Sequence, residues 1–345
     1  MKKLLNTLFV LTQGSYLAKE GESLLVRVEG KTKGRFPVHN LGGVVCFGNV
    51  LCSPFLLGHC AENGVAVSML TENGRFLCRV TGAVAGNVLL RREQYRRADC
   101  PLASAMIARH FLLAKIANCR HTVKRALRDR PEASDNSLLQ DAGKHLEAAL
   151  CRLRSPEKFD LDALRGLEGD AAHVYFSVFP NLIVTDDPAF AFSGRNRRPP
   201  VDPVNALLSF LYTLLAHDVR GASESVGLDP AVGFLHRDRP GRPSLALDLM
   251  EELRPVVADR LVLALINRGQ LKPKHFQFQT GGAVWMNEEG RKVVLKAYQE
   301  RKQEEIQHPY LHEKIKFGLV PYVQALLMTR HLRGDLEGYP PFLWR

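Results

Sequence analysis

One stretch of this chain, Gly233-Phe-Leu-His-Arg-Asp-Arg-Pro-Gly-Arg-Pro-Ser-Leu-Ala-Leu-Asp-Leu-Met-Glu-Glu-Leu-Arg-Pro255, concentrates side chains able to do chemistry. His236 precedes a short loop, and Asp248 and Glu251 follow three residues apart on an expected helix. Residues at i and i+3 share a helix face, so the two carboxylates repel by roughly 0.2–0.5 kcal/mol unless something sits between them. A divalent cation would convert that repulsion into a site, and imidazole with carboxylates suits Mg²⁺ or Mn²⁺ better than a thiolate-seeking metal. An arginine partner is the other solution, with Arg195, Arg197, Arg198 and Arg254 as candidates. Taken singly, His236, Asp248, Glu251 and also Glu168 are ordinary polar residues of a helical protein. Their arrangement beside the apolar stripe Leu245, Leu249, Leu253 matters more, because an unpartnered carboxylate at a core boundary is costly.

The basic residues extend this reading. Arg237, Arg239 and Arg242 lie in the loop after His236, and Arg195, Arg197 and Arg198 form a second cluster before Pro199. Guanidinium groups grip phosphate in a bidentate manner. His121, Lys124, Arg125 and Arg128, at i, i+3, i+4 and i+7, make a basic helical stripe suited to a nucleic-acid backbone, or simply a solvated face. The chain carries 47 Lys and Arg against 36 Asp and Glu, a net charge of +11, which points toward a polyanion such as nucleic acid. No nucleophile-elbow, Walker-type or HExxH motif is present, which disfavours serine hydrolases, P-loop NTPases and zincins.

These residues need elements to position them. At 345 residues the chain is long enough for two cores. Leu24–Glu29, Val44–Phe47, Val65–Leu70 and Phe76–Val80 read as strands, with a short helix at Pro54–Glu62 and a hairpin turn at Asn73-Gly74. The opening residues Met1–Leu11 read as a first strand. From Pro101 the period becomes helical, with Met106, Leu113 and Ala117 expected inward, and a polar loop is expected over 129–142. Further helices are expected over Leu161–Phe179, from Asp202-Pro203 to about Gly221, and from a Ser244 cap to Pro255. Gly281-Gly282 reads as the turn of a small hairpin, and Asn287 as the start of another helix. The fold class is therefore α+β: an N-terminal β-sandwich or β-roll at 1–82, a linker at 83–100, a larger all-helical catalytic domain at 101–338, and a mobile tail or docking peptide at 339–345. Seven dispersed cysteines with no CxxC pair indicate reduced thiols in a cytoplasm, and no apolar run is long enough to span a membrane.

Three motifs, in this order and spacing, carry a resemblance: Leu167-Glu-Gly-Asp-Ala-Ala-His-Val-Tyr-Phe176, Arg195-Asn-Arg-Arg-Pro-Pro-Val-Asp-Pro-Val-Asn-Ala-Leu-Leu-Ser-Phe210, and the Gly233–Pro255 stretch. Over nearly its whole length the chain resembles the CRISPR-associated integrase/endonuclease of spacer acquisition, the first of the numbered Cas proteins. Val320-Pro-Tyr-Val-Gln-Ala325 and Arg330-His-Leu-Arg-Gly-Asp335 look like its subtype I-C branch. The resemblance implies metal ligation by Glu168, His236 and Glu251, with Asp248 an additional acidic residue of the site, as ligand or behind the ligands. It implies Mg²⁺ or Mn²⁺, and a homodimer that joins a small ferredoxin-like CRISPR-associated dimer in a heterohexamer. Its DNA partners would be a double-stranded foreign fragment and the CRISPR repeat array, whose phosphodiesters the fragment's 3′-hydroxyls attack. A metal-dependent, structure-selective nuclease of DNA repair and a non-catalytic DNA-binding scaffold are the alternatives.

Overall fold

The computed structural model describes residues 6–72, 76–83, 88–133, 136–155, 159–196 and 199–344. The expected turn at Asn73-Gly74 and residues Arg197 and Arg198 lie outside them. The chain divides into two compact units, the first formed by residues 1–86, 294–304 and 316–319, the second by 87–293, 305–315 and 320–345.

The first unit holds β1 (Thr7–Val10), β2 (Ser15–Glu20), β3 (Ser23–Val28), β4 (Lys31–Pro37), β5 (Gly43–Phe47), β6 (Val50–Cys52), α1 (Pro54–Glu62), β7 (Ala66–Leu70) and β8 (Phe76–Val80). They form two four-stranded sheets, ordered β1-β5-β7-β8 and β4-β3-β2-β6. Both are mixed: β1 with β5, β5 with β7, and β2 with β6 run parallel. Parallel neighbours cannot be joined by a tight turn. The chain between β1 and β5 therefore builds three strands of the other sheet, and the chain between β5 and β7 builds β6 and α1. α1 has the bounds expected from sequence, because Ser53 accepts a hydrogen bond from the Leu56 N–H and Pro54 occupies the first turn. Val10, Leu17, Leu24, Val44, Leu56 and Val67 meet in one apolar cluster drawn from both sheets and α1.

The second unit contains α2 (Val88–Asp99), α3 (Pro101–Asp129), α4 (Asn136–Arg154), α5 (Leu161–Ser177), α6 (Pro203–Ser225), α7 (Ser244–Glu251), α8 (Arg260–Asn267), β9 (Phe276–Phe278), β10 (Val284–Met286), the start of α9 (Glu288–Gln303), β11 (Glu305–Gln307), β12 (Lys314–Lys316, its last residue counted with the first unit) and α10 (Val320–Leu332). It is thus mixed rather than all-helical, with two short two-stranded ladders, β9 with β10 and β11 with β12. Where a linker was expected, Val88–Asp99 is a helix. The polar stretch 129–142 is mostly helical: α3 runs to Asp129 and α4 starts at Asn136. Its polar residues are those of an amphipathic helix that buries Leu139, Ala142, Leu146, Leu150 and Leu153.

α3 corrects a second expectation. Met106 is 62% exposed, and the buried stripe is Ala105, Ala108, Phe111, Leu112, Lys115, Cys119, Thr122 and Val123. This helix is apolar on several sides, so periodicity alone could not select the inward one. α6 buries Val204, Leu207, Leu208, Leu211 and Leu215, as its 3.6 period predicts, whereas α5 buries Leu164, Leu167 and Ala171 but leaves Leu161 and Val174 half-buried; both are capped by aspartate: Asp160 accepts from the Ala163 N–H and Asp202 from the Asn205 N–H, each at 2.7 Å. α6 passes through Gly221 to Ser225. Ser244 is the first residue of α7 rather than its cap, which is Pro243. Pro255 lacks the N–H needed for the α-helical ladder. The chain answers with one wide π-helical turn, Arg254–Asp259, that leads into α8.

The last residues are not a mobile tail. Tyr339 and Phe342 are fully buried, and the Asn118 side chain donates to the Glu252 and Phe342 carbonyls while accepting from the Trp344 N–H. No single described helix is long and apolar enough to cross a membrane.

Candidate active site

Four segments of the second unit converge: α3 with Lys115, α5 with Glu168, the loop with His236, and α7 with Asp248 and Glu251. The three-residue spacing of Asp248 and Glu251 puts both near His236, but on opposite sides of its ring. Asp248 Oδ1 lies 2.5 Å from His236 Nδ1, while Glu251 Oε1 lies 3.8 Å from Nε2.

Asp248 is fully buried and its acceptor capacity is heavily used. Oδ2 accepts from the backbone N–H groups of Phe234, at 2.6 Å, and Leu235, at 3.0 Å. Oδ1 accepts from the His236 N–H at 3.0 Å and meets the ring Nδ1. One carboxylate thus folds the loop 234–236 around itself and fixes the imidazole, committing Nδ1 and turning Nε2 toward Glu251. Gly233 permits this approach: a Cβ there would stand 2.8 Å from Asp248 Oδ2 and from Ser244. From the other side Arg165, on α5, donates to the Leu235 carbonyl at 2.9 Å and ties the His236 loop to the helix bearing Glu168.

Glu251 is held by cations. Arg254 contacts Oε1 at 2.9 Å and the Lys115 ammonium contacts Oε2 at 2.7 Å; Lys115 also pairs with Glu168. Burial would raise the Glu251 pKa, but Arg254, then Lys115 and His236, outweigh it and hold the carboxyl down to about 2. Burial likewise pushes Lys115 toward its neutral form, and Glu251 and Glu168 reverse that, so its pKa sits above the ordinary lysine value. Arg254 lies over the Tyr212 ring at 4.9 Å, and the Tyr212 hydroxyl donates to Asp259 at 2.7 Å. Of the arginines considered as partners for the site acids, Arg254 is thus engaged with Glu251.

Among the described residues no three His, Cys, Asp or Glu side chains form a ready metal cluster. The Lys115 ammonium stands between the two glutamates instead. Sequence reasoning missed Lys115. Its one signal is a charged residue inside the apolar run Phe111–Ala117.

Gly169, one residue after Glu168, has no atom within 4 Å of where a Cβ would be, so close protein packing does not explain it. It lines an open cavity of about 530 Å³, with His173, Phe176, Phe192 and Arg195.

The cationic candidates separate into two groups. Arg195 turns inward, donating to Asn205 Oδ1 at 2.7 Å and to Ser209 at 3.2 Å, with Tyr212 beneath it at 5.4 Å; it braces α6. Arg237 and Arg239 are exposed and Arg242 is half-buried, and Arg237 pairs with Asp162 at 2.9 Å. On α3, Lys124, Arg125 and Arg128 are exposed and His121 is half-buried; Arg125 and Arg128 reach Asp129 at 3.2 and 3.7 Å.

Residues 8–300 match the family model described as CRISPR associated protein Cas1. The chain belongs to this Cas1 family. A CRISPR-associated endonuclease Cas1 of Chlorobaculum tepidum is 58% identical over 345 residues, the full length of both chains. The chain is accordingly a CRISPR-associated enzyme of the nuclease class. A casposase bound to integration product superposes with a TM-score of 0.83 at 21% identity, over 99% of this chain and 95% of that one. A chain of a Cas6-RT-Cas1–Cas2 complex gives 0.82 at 22% identity, over 98% of this chain and 36% of that one. At these identities the two structures share the fold.

Proposed function

We propose that this Cas1 family member joins 3′-hydroxyl ends of DNA fragments to a CRISPR repeat array by transesterification, with Glu168, His236 and Glu251 holding Mg²⁺ or Mn²⁺. The observation that carries the reading is the meeting of these three donors from α5, a loop and α7, with Asp248 fixing the imidazole behind them. The donor set fits a hard divalent ion: two carboxylates and one imidazole nitrogen, with Glu251 Oε2 buried and met by the Lys115 ammonium. When bound, such an ion polarises the target phosphate and favours the alkoxide form of the attacking hydroxyl.

The protein's own residues do the rest. Asp248 keeps His236 in one tautomer and one orientation. Arg165 holds the His236 loop against α5, so the donors cannot drift apart. Arg254 and Lys115 keep Glu251 ionised. Arg237, Arg239 and Arg242 supply positive charge near the reacting phosphate. In the exchange one P–O bond forms to the incoming 3′-oxygen, one breaks in the target strand, and the hydroxyl proton passes to the departing 3′-oxygen. Water in place of the hydroxyl gives strand cleavage. Lys124, Arg125 and Arg128 would track duplex backbone.

Double-stranded DNA and a Cas2 dimer are the proposed partners, with two homodimers of this chain flanking Cas2 in a cytoplasmic heterohexamer of the subtype I-C kind. Support comes from family membership and the fold shared with the Cas2-containing complex and the casposase.

Strand transfer tests the reading. Labelled duplex with 3′-hydroxyl ends is mixed with a repeat-array plasmid, the small partner and Mn²⁺. Wild type should yield joined product, lost with 3′-dideoxy ends and with His236→Ala. Metal-dependent nicking without joining would favour a repair nuclease. Unaltered DNA-dependent function in His236→Ala would favour a scaffold.

A further inference from the structure

We infer that Lys115 is the resident countercation of the metal-free active site, and that its ammonium must vacate the gap between Glu168 and Glu251 when the divalent ion enters. The inference rests on the metal-site reading above and adds to it a residue that sets how tightly the ion binds.

The geometry is specific. Lys115 reaches from α3 into a site built by α5 and α7 and touches both glutamates; the Glu251 contact is 2.7 Å. Its side chain is only 10% exposed, so it is not a surface lysine that happens to fold back. It is the charged member of the buried face of α3, beside Phe111, Leu112 and Cys119. A buried cation there needs a reason, and the two carboxylates supply it: without Lys115 they would face each other across a poorly solvated gap. The same gap is where a divalent ion shared by Glu168 and Glu251 would bind. Two cations cannot occupy it together, because unit charges at such separations repel strongly in a partly buried site. Arg254 does not compete in this way. It meets Glu251 on the other oxygen and is fixed over Tyr212. A lysine, with a flexible four-carbon stem and a compact ammonium, is suited to leaving; an arginine fork is not.

The consequence is an exchange of one cation for another. The folded protein stays intact without metal, and metal loading is weakened by the work of displacing Lys115. Removing the ammonium should therefore tighten metal binding while loosening the metal-free fold. A lysine serving only as a structural brace, or only as a charge for the transition state, predicts no such gain.

Two measurements on the full-length, DNA-free protein test this. In the first, Mn²⁺ affinity is read by electron paramagnetic resonance or calorimetry for wild type, Lys115→Met and His236→Ala. Lys115→Met should bind Mn²⁺ at least about tenfold tighter than wild type, and His236→Ala should bind it more weakly. In the second, amine-labelling of wild type is followed by mass spectrometry, which needs no variant to fold. Lys115 should be protected without metal and become reactive with Mn²⁺. If binding depends on His236 but Lys115→Met binds no tighter, or if Mn²⁺ leaves Lys115 labelling unchanged, the exchange is wrong and the metal site stands. If neither wild type nor Lys115→Met shows His236-dependent binding, the metal site falls and the exchange falls with it.

Discussion

Glu251 and Glu252 are adjacent, both are buried, and their surroundings drive them in opposite directions. Glu251 faces the site, where Arg254 and Lys115 hold its carboxyl down to about 2 against the cost of burial. Glu252, the cap residue after α7, turns to the C-terminal segment instead. Burial pushes it up to about 7, and its partners are neutral: the Phe342 N–H at 2.7 Å, the Tyr339 hydroxyl and the Gln324 amide. Burial alone therefore does not decide whether an acid stays charged. The last residue of α7 belongs to an ionic cluster, while its cap residue is a hydrogen-bonded anchor for the C-terminal segment.

Removing each acid should separate the two roles most sharply. Glu251→Gln leaves Lys115 and Arg254 without a shared anion. We expect a loss of about 3–5 kcal/mol in denaturant melts, together with abolished strand transfer. Glu252→Gln keeps the shape and loses one good acceptor, about 1–3 kcal/mol, with strand transfer retained. Equal losses in the two variants would erase the distinction.

Asp248→Asn comes next. It replaces part of an all-acceptor group facing three backbone N–H donors and the imidazole, so His236 loses its fixed tautomer. Strand transfer should fall about 10–100-fold, with Mn²⁺ affinity lowered in parallel. Undiminished activity would mean that Asp248 only shapes the loop.

The acids also differ in pH response. Folded Glu252 keeps its proton up to about pH 7, whereas an unfolded glutamate releases it near 4.5. The folded chain then binds the extra proton, so this group's contribution to stability declines as pH rises from about 4.5 to 7 and is level above. Glu251 has the opposite sign. Its contribution is complete above 4.5 and is lost as pH falls toward 2. Thermal melts of wild type and the less stable Glu252→Gln should therefore lie furthest apart near pH 4.5 and draw together toward neutrality, as wild type loses ground. A pH-independent gap would show that Glu252 titrates normally.

The smallest effect concerns cations of the second kind. Lys124 is exposed on α3, nine residues beyond Lys115. Lys124→Ala should reduce the slope of log affinity for duplex DNA against log salt by about 1, leaving the melting temperature unchanged. A flat slope already in the wild type would remove α3 as a DNA track.

Part of the molecule was legible in the sequence. The 3.6 period marked α5 and, with the Asp202 cap, α6, the spacing of Asp248 and Glu251 put both acids at one site, and the motifs around Glu168 and His236 identified the family. These are local properties, written in a few consecutive residues. Periodicity failed on α3 because an apolar helix offers no contrast between faces, and polarity misled at 136–142 because an amphipathic helix and a loop share composition. Other features only the tertiary structure decided: which oxygen of which acid meets His236, that Lys115 lies between two glutamates distant in sequence, that Arg195 turns inward, and that the C-terminal residues are buried behind α7. Each depends on which helices become neighbours, and that is settled by packing over the whole unit rather than by any one segment.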